Sequence, residues 1–206
     1  MRDLLDAAGG TSLGKAEYIA DFDERFWRID DAGFWKLERL QSFQEPGSPS
    51  WRAFSRGNWK EALALIDSNR PEYQEYGKRM DAAGFGHFRV RVVDLPVGPY
   101  LQWELELLRV KSEYRQPVRV LPSDGVSAWE TEHPLPELVV LGSEAAYEVV
   151  YTAEGFLDGA VRYTDASTVA ALRERIRALY RSGEELETFW AREVAGLPTP
   201  GLQPGG

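Results

Sequence analysis

"LQWELEL", Leu101–Leu107, carries two periods at once, and the choice between them decides the fold. In steps of two, Leu101, Trp103, Leu105 and Leu107 fall on one side and Gln102, Glu104 and Glu106 on the other, as in a half-buried strand. At about 100° per residue, Tyr100, Leu101, Leu107 and Leu108 form a broad apolar arc instead, with Glu104 and Lys111 inside it. Gln102, Glu106 and Arg109 then take the solvated side. Three arguments favour the helix. Pro99 suits a first helical position, where its missing N–H costs nothing. The run from Pro99 to Lys111 is rich in Leu, Glu, Gln, Lys and Arg, with few β-branched side chains. It is also longer than a typical strand.

A helix here puts an ionised carboxylate against a sheet, where it needs a partner or a raised pKa. The candidates are Arg89 and Arg91 in "HFRVRVV", an alternating strand that sends Phe88, Val90 and Val92 inward and the two arginines the other way. The bland expectation is an Arg–Glu clamp between helix and sheet; a ligand-binding role is the sharper one. "QPVRVLP" supplies a following strand over 117–121, so strand, helix and strand predict a right-handed parallel crossover.

Working outward, Tyr18, Phe22, Phe26 and Ile29 predict a helix from about Glu17 to Asp30, broken by Gly33. "FWKLERLQSF" (Phe34–Phe43) reads as a strand, and "SWRAF" as a short apolar anchor. Asn58 suits the cap of a helix with Trp59, Leu63 and Ile66 on one face, and Pro71 suits the first turn of the next. "SDGVSAWETEHPLP" reads as a loop, and "ELVVLG", "AYEVVYT" and "GAVRYT" as an antiparallel meander. Two amphipathic helices follow, after Asp165 and after Gly183. The expected class is α+β or α/β, with a single mixed sheet of about five to six strands, one parallel crossover, a meander and helices at both chain ends. Residues 1–15 read as a flexible lead-in, 16–196 as one globular domain, and the Pro/Gly-rich 197–206 as a disordered tail.

Composition narrows the function classes. The 206 residues carry a formal charge of −9, which argues against a duplex-binding surface without excluding a small basic pocket. There is no cysteine, so disulfides, thiolate catalysis and Cys-ligated zinc are excluded. "MRDLLDAAGG" lacks an apolar signal core and no run approaches a membrane span, so the expectation is a cytoplasmic protein without membrane contact.

No motif names a reaction. His87 and His133 fit no metal-ligand spacing, so neither a metal nor a cofactor is expected. No GxSxG is present, and "GGTSLGK" lacks the GK[ST] ending and the preceding strand of a phosphate loop. The candidate recognition surface is Arg89, Arg91, Tyr100, Trp103 and Glu104, with Trp35, Glu38 and Arg119 nearby. Arginines would recognise an anion, aromatics would supply a stacking wall, and Glu104 would orient one guanidinium.

"FWKLERLQSFQEPGSPSWRAFSRGNWKEAL", "FRVRVVDLPVGPYLQWELELL", "QPVRVLP" and "GAVRYTDASTV" together resemble the actinobacterial family of domain of unknown function 6879, over about residues 21–194. The closing Phe189-Trp190 after a capped helix is also similar, more weakly, to a phospholipase-D-type half. The first resemblance implies no established activity; its members' association with helix-turn-helix regulators implies a regulatory or adaptor role. The second implies an inactive hydrolase, because His87-Phe88-Arg89 has Arg where such enzymes need Lys. The leading expectation is therefore a non-enzymatic cytoplasmic regulator or adaptor. It would bind a small molecule or a protein partner, such as a helix-turn-helix regulator, through an Arg/Glu/aromatic cleft. The alternative is an auxiliary enzyme of specialised metabolism using Glu104 or Glu38 as acid or base.

Overall fold

In a computed structural model, which describes residues 1–201, the Leu101–Leu107 stretch is helical. It lies within α6 (Pro99–Ser112), with Pro99 in the first turn as its chemistry favours. Helix α6 connects β3 (His87–Val93) to β4 (Val118–Pro122), and these two strands pair in parallel. Strand β3 also pairs in parallel with β2 (Phe34–Glu38) on its other side. The connection from β2 to β3 runs through α3 (Pro49–Ser55), α4 (Trp59–Ser68) and α5 (Arg70–Ala83). The expected single parallel crossover is therefore corrected to two, sharing β3 as their common strand.

The meander is β5 (Leu138–Leu141), β6 (Ala145–Tyr151) and β7 (Leu157–Tyr163), joined antiparallel to one another and to β2 through β5. The sheet has eight strands rather than five or six. The two extra strands close its edges: β1 (Thr11–Gly14) pairs with β7, and β8 (Glu184–Glu185) pairs with β4. Both are short and polar, held by backbone hydrogen bonds, so no hydrophobic alternation announces them. The spatial order is β1-β7-β6-β5-β2-β3-β4-β8.

Secondary structure also forms ahead of residue 16. Residues Arg2–Ala8 form α1, whose Leu5 is buried in the same core cluster as Val169, Leu172 and Ile176 of α7 (Ala166–Ser182). Helix α2 covers Lys15–Phe26, earlier than expected, and Gly33 sits at φ +83° where the chain turns into β2. There a Cβ would also crowd the Gly86 carbonyl. "SWRAF" is helical in α3, capped by the Ser48 hydroxyl accepting from the Trp51 N–H, and Ser123–Trp129 forms a 3-10 helix. Asp165 caps α7 through the Thr168 N–H, and α8 (Leu186–Glu193) ends the ordered elements. Of the expected disordered tail, residues 202–206 lie outside the described residues. Among the described residues no helix is long and apolar enough to cross a membrane.

Both faces of the central strands are covered. On one, Trp35, Leu37, Val90, Val92, Leu138 and Val140 meet α7 and α1. On the other lie two apolar clusters. One packs Val93, Val118 and Val120 against α3, α4, α6 and α8; the other packs Phe34, Val139 and Leu141 against α2 and Met80 of α5. The seam between those clusters is where the charged side chains of β2 and β3 lie.

Leu5 is nearly fully buried, so docking of α1 has an energetic signature. Leu5→Ala should cost about 2–4 kcal/mol in equilibrium urea unfolding. An unchanged midpoint would mean that α1 does not pack on α7.

Candidate functional site

The alternation of β3 sends His87, Arg89, Arg91 and Val93 to the α6 side of the sheet and Phe88, Val90 and Val92 to the α7 side. Arg91 is fully buried, and its Nε donates to Glu104 Oε2 at 2.7 Å. Its Nη1 donates to the carbonyls of Glu38 and Val92, at 3.3 and 3.1 Å. Glu104, one turn beyond Tyr100 on α6, is itself 4% exposed. Burial pushes its carboxyl up, Arg91 opposes that, and the neighbouring Glu38 and Glu45 reinforce it. Tyr100 donates to Glu45 at 2.5 Å and lies 3.5 Å from Glu104, extending the network to the loop after β2.

A second group sits beside this pair. Glu38 receives Lys36 Nζ at 2.6 Å on one oxygen and Arg89 Nη1 at 2.6 Å on the other. Burial alone would raise its carboxyl; Arg89, Lys36 and Arg91 outweigh that and hold it well below the usual carboxylate range. The parallel register explains the geometry, because it sets Lys36 level with Arg89 and Glu38 level with Arg91. Lys111, at the end of α6, has no carboxylate within ion-pair distance among the described residues. Burial, then repulsion from Arg89, lowers its ammonium to about 8, against the opposing pull of Glu45 and Glu38. His87 is 5% exposed with neither ring nitrogen hydrogen-bonded. Burial and the neighbouring Arg89, Lys111 and Lys36 keep it neutral at pH 7.

These groups form the floor of a cleft of about 740 Å³ between α2, α5 and the sheet. Lys36, His87, Arg89, Lys111 and Gln116 lie at its base. Its walls are aromatic, with Tyr18, Phe22 and Trp27 from α2 and its C-terminal end facing Tyr73 and Tyr76 from α5. Asp23, Glu72 and Glu75 are exposed at its mouth. Among the described residues no cluster of three His, Asp or Glu side chains could hold a metal ion.

The residues singled out in the sequence separate into three places. Arg89 lines the cleft, with Glu38, Arg91 and Glu104 behind it in the seam and Tyr100 linked to Glu104. Trp103 is fully buried core, 5.8 Å from the Phe54 ring with its indole N–H unpartnered. Trp35 and Arg119 point to the opposite face and leave the site. Trp35 stacks on Phe88 at 4.3 Å, while Arg119 pairs with Glu185 and lies 5.5 Å over Tyr180. The reason is the period of a strand: Trp35 and Glu38 are three apart in β2, and Arg119 alternates with the inward Val118 and Val120. Not assigned to the site from sequence were Lys36, His87, Lys111, Trp27 and Tyr76, although Lys111 was placed on the apolar arc and His87 was weighed as a metal ligand. Lys36 had a signal, since it shares strand parity with Glu38, and Lys111 had one in its place on the apolar arc.

The Arg91–Glu104 pair should show strong coupling. Arg91→Met and Glu104→Met alone each leave a buried charge unpaired and should cost about 3–5 kcal/mol. The double variant should cost far less than their sum in a denaturation cycle. Additive losses would show that the two side chains do not act as a pair.

No curated protein and no solved structure matches the chain. One family does, described as a domain of unknown function, and it covers residues 20–191. That span holds every strand from β2 to β8, the buried ion pairs and every cleft-lining residue except Tyr18. The chain belongs to the DUF6879 family.

Proposed function

We propose that this protein binds an anionic, ring-bearing small molecule in the cleft between α2, α5 and the sheet, and serves a regulatory or adaptor role in the cytoplasm. The observation that carries the reading is the composition of the floor. Lys36, Arg89 and Lys111 converge there beneath walls of aromatic rings, with Glu38 behind the floor paired to Lys36 and Arg89 and no carboxylate paired to Lys111 among the described residues. Cations set in a low-dielectric, partly enclosed site attract an anion more strongly than surface lysines do. Aromatic walls add apolar area and edge or face contacts for a ring. A protein partner, such as a helix-turn-helix regulator, would read the loaded state from the α2 and α5 surface.

The enzymatic alternative has weaker support. Neither Glu38 nor Glu104 lines the cleft, and each already engages cations. A general acid or base must come within hydrogen-bond reach of the substrate proton. The likeness to a degenerate phospholipase-D half adds nothing to catalysis, since His87 is buried at the cleft base, where burial and the cations Arg89, Lys111 and Lys36 outweigh Glu38 and hold the ring neutral.

Titration calorimetry with 1-naphthoate and neutral 1-naphthol tests the reading. The carboxylate should bind and perturb the Trp27 fluorescence, and the alcohol should bind at least tenfold more weakly. Lys111→Met should weaken the carboxylate about tenfold without loss of thermal stability, because it removes a half-buried, unpaired charge rather than a pair. Equal binding of both compounds, or an unaffected Lys111→Met variant, would overturn the proposal.

A further inference from the structure

We propose that the ligand's anionic group is a phosphate monoester, so that the cleft takes a flat ring joined to a dianionic head. This rests on the reading of the cleft as an anion site and adds the class of anion. Three cations at the floor, Lys36, Arg89 and Lys111, face one carboxylate, Glu38, and the remainder is a surplus of two positive charges. A carboxylate or sulfonate would compensate only one of them. A phosphate monoester carries about −1.5 to −2 at pH 7 and presents three acceptor oxygens.

The donor set fits that head. Arg89 offers guanidinium N–H groups beyond the one given to Glu38, and Lys111 has an uncommitted ammonium. His87 supplies the independent sign that the floor is built for a ligand. It is almost fully buried, it lines the cleft, and both its ring nitrogens lack a partner. An orphaned buried imidazole is costly unless a bound group completes it. As a neutral ring it donates one N–H to a phosphate oxygen without adding a further buried charge.

The mouth limits the class from the other side. Asp23, Glu72 and Glu75 stand exposed there beside a single cation, Arg79, whose guanidinium lies 3.9 Å over the Trp27 ring, and this net negative rim would repel a chain of further phosphates reaching outward. They accept hydrogen bonds from hydroxyl groups readily. The arrangement therefore favours a monoester with a ring against the aromatic walls and hydroxyls toward solvent. Nucleoside monophosphates and aryl phosphates share this chemistry.

Calorimetry of the full chain with 1-naphthyl phosphate and 1-naphthoate, which share a ring, reads the head group alone. At pH 7 the phosphate should bind at least tenfold more tightly. The preference should shrink below pH about 6, where the phosphate gains a proton. It should shrink again above about 8, as Lys111 loses its charge among Arg89 and His87 of β3, Lys36 and Glu38 of β2, Glu45 and the Tyr73 ring. In Lys111→Met the two affinities should converge to within about threefold. Equal affinities at pH 7 in the unmodified protein would overturn the phosphate assignment while leaving the anion cleft in place. Failure of both compounds to bind would overturn both.

Discussion

The Arg91–Glu104 ion pair is the interaction on which the arrangement of this protein turns. Strand β3 has parallel neighbours on both sides and helices over both faces, so neither set of its alternating side chains reaches bulk water freely. An arginine on such a strand is tolerable only with its charge met in place, and Glu104 of α6 meets it at 2.7 Å. A pair of this kind adds little net stability compared with apolar residues of equal volume. What it does fix is position. A one-residue rotation of α6 would swing Glu104 about 100° away and strand both charges. The same helix carries Tyr100, Trp103 and Lys111, so its setting on β3 places the network's edge, a core tryptophan and a cleft cation together.

The seam that holds this pair also explains why a cleft exists. The α6 side of the sheet is covered by two separate apolar clusters, one built on α3, α4, α6 and α8, the other on α2 and α5. Where they fail to merge, β2 and β3 place Lys36, Glu38, Arg89 and His87 instead of aliphatic residues. Arg91 and Glu104 close as a neutral unit behind this group. The group itself does not close, because one carboxylate serves two cations and Lys111 adds a third. Electrostatic balance on one side of the seam and surplus on the other divide a structural clamp from a binding floor.

Much of this was legible in the residues. The helix from Pro99 to about Lys111 followed from propensity and Pro99, and strand alternation one element earlier narrowed the partner of Glu104 to Arg89 or Arg91, of which Arg91 is the one. The meander followed from three apolar runs separated by turns. What escaped was set by backbone pairing or by long-range contact. Strands β1 and β8 are too short to alternate, with Leu13 the one apolar side chain β1 sets against the core, and α1 is short, with Leu5 as its one buried residue. The second parallel connection spans three helices between β2 and β3, and no local pattern encodes which strands will meet across it. The cleft was half legible. Arg89 was identified, but its aromatic walls come from helices read as core, and Trp35 and Arg119 were assigned without respect to strand parity.

The cleft floor holds more positive charge than its carboxylate can balance. The most direct measurement is the titration of the Lys111 side chain in the unliganded protein, followed by carbon-13 NMR of its Cε. A midpoint near 8 is expected, pulled down by burial and by the neighbouring Arg89. A midpoint at the ordinary lysine value of about 10.4 would show that the floor is solvated or balanced, and would contradict that surplus.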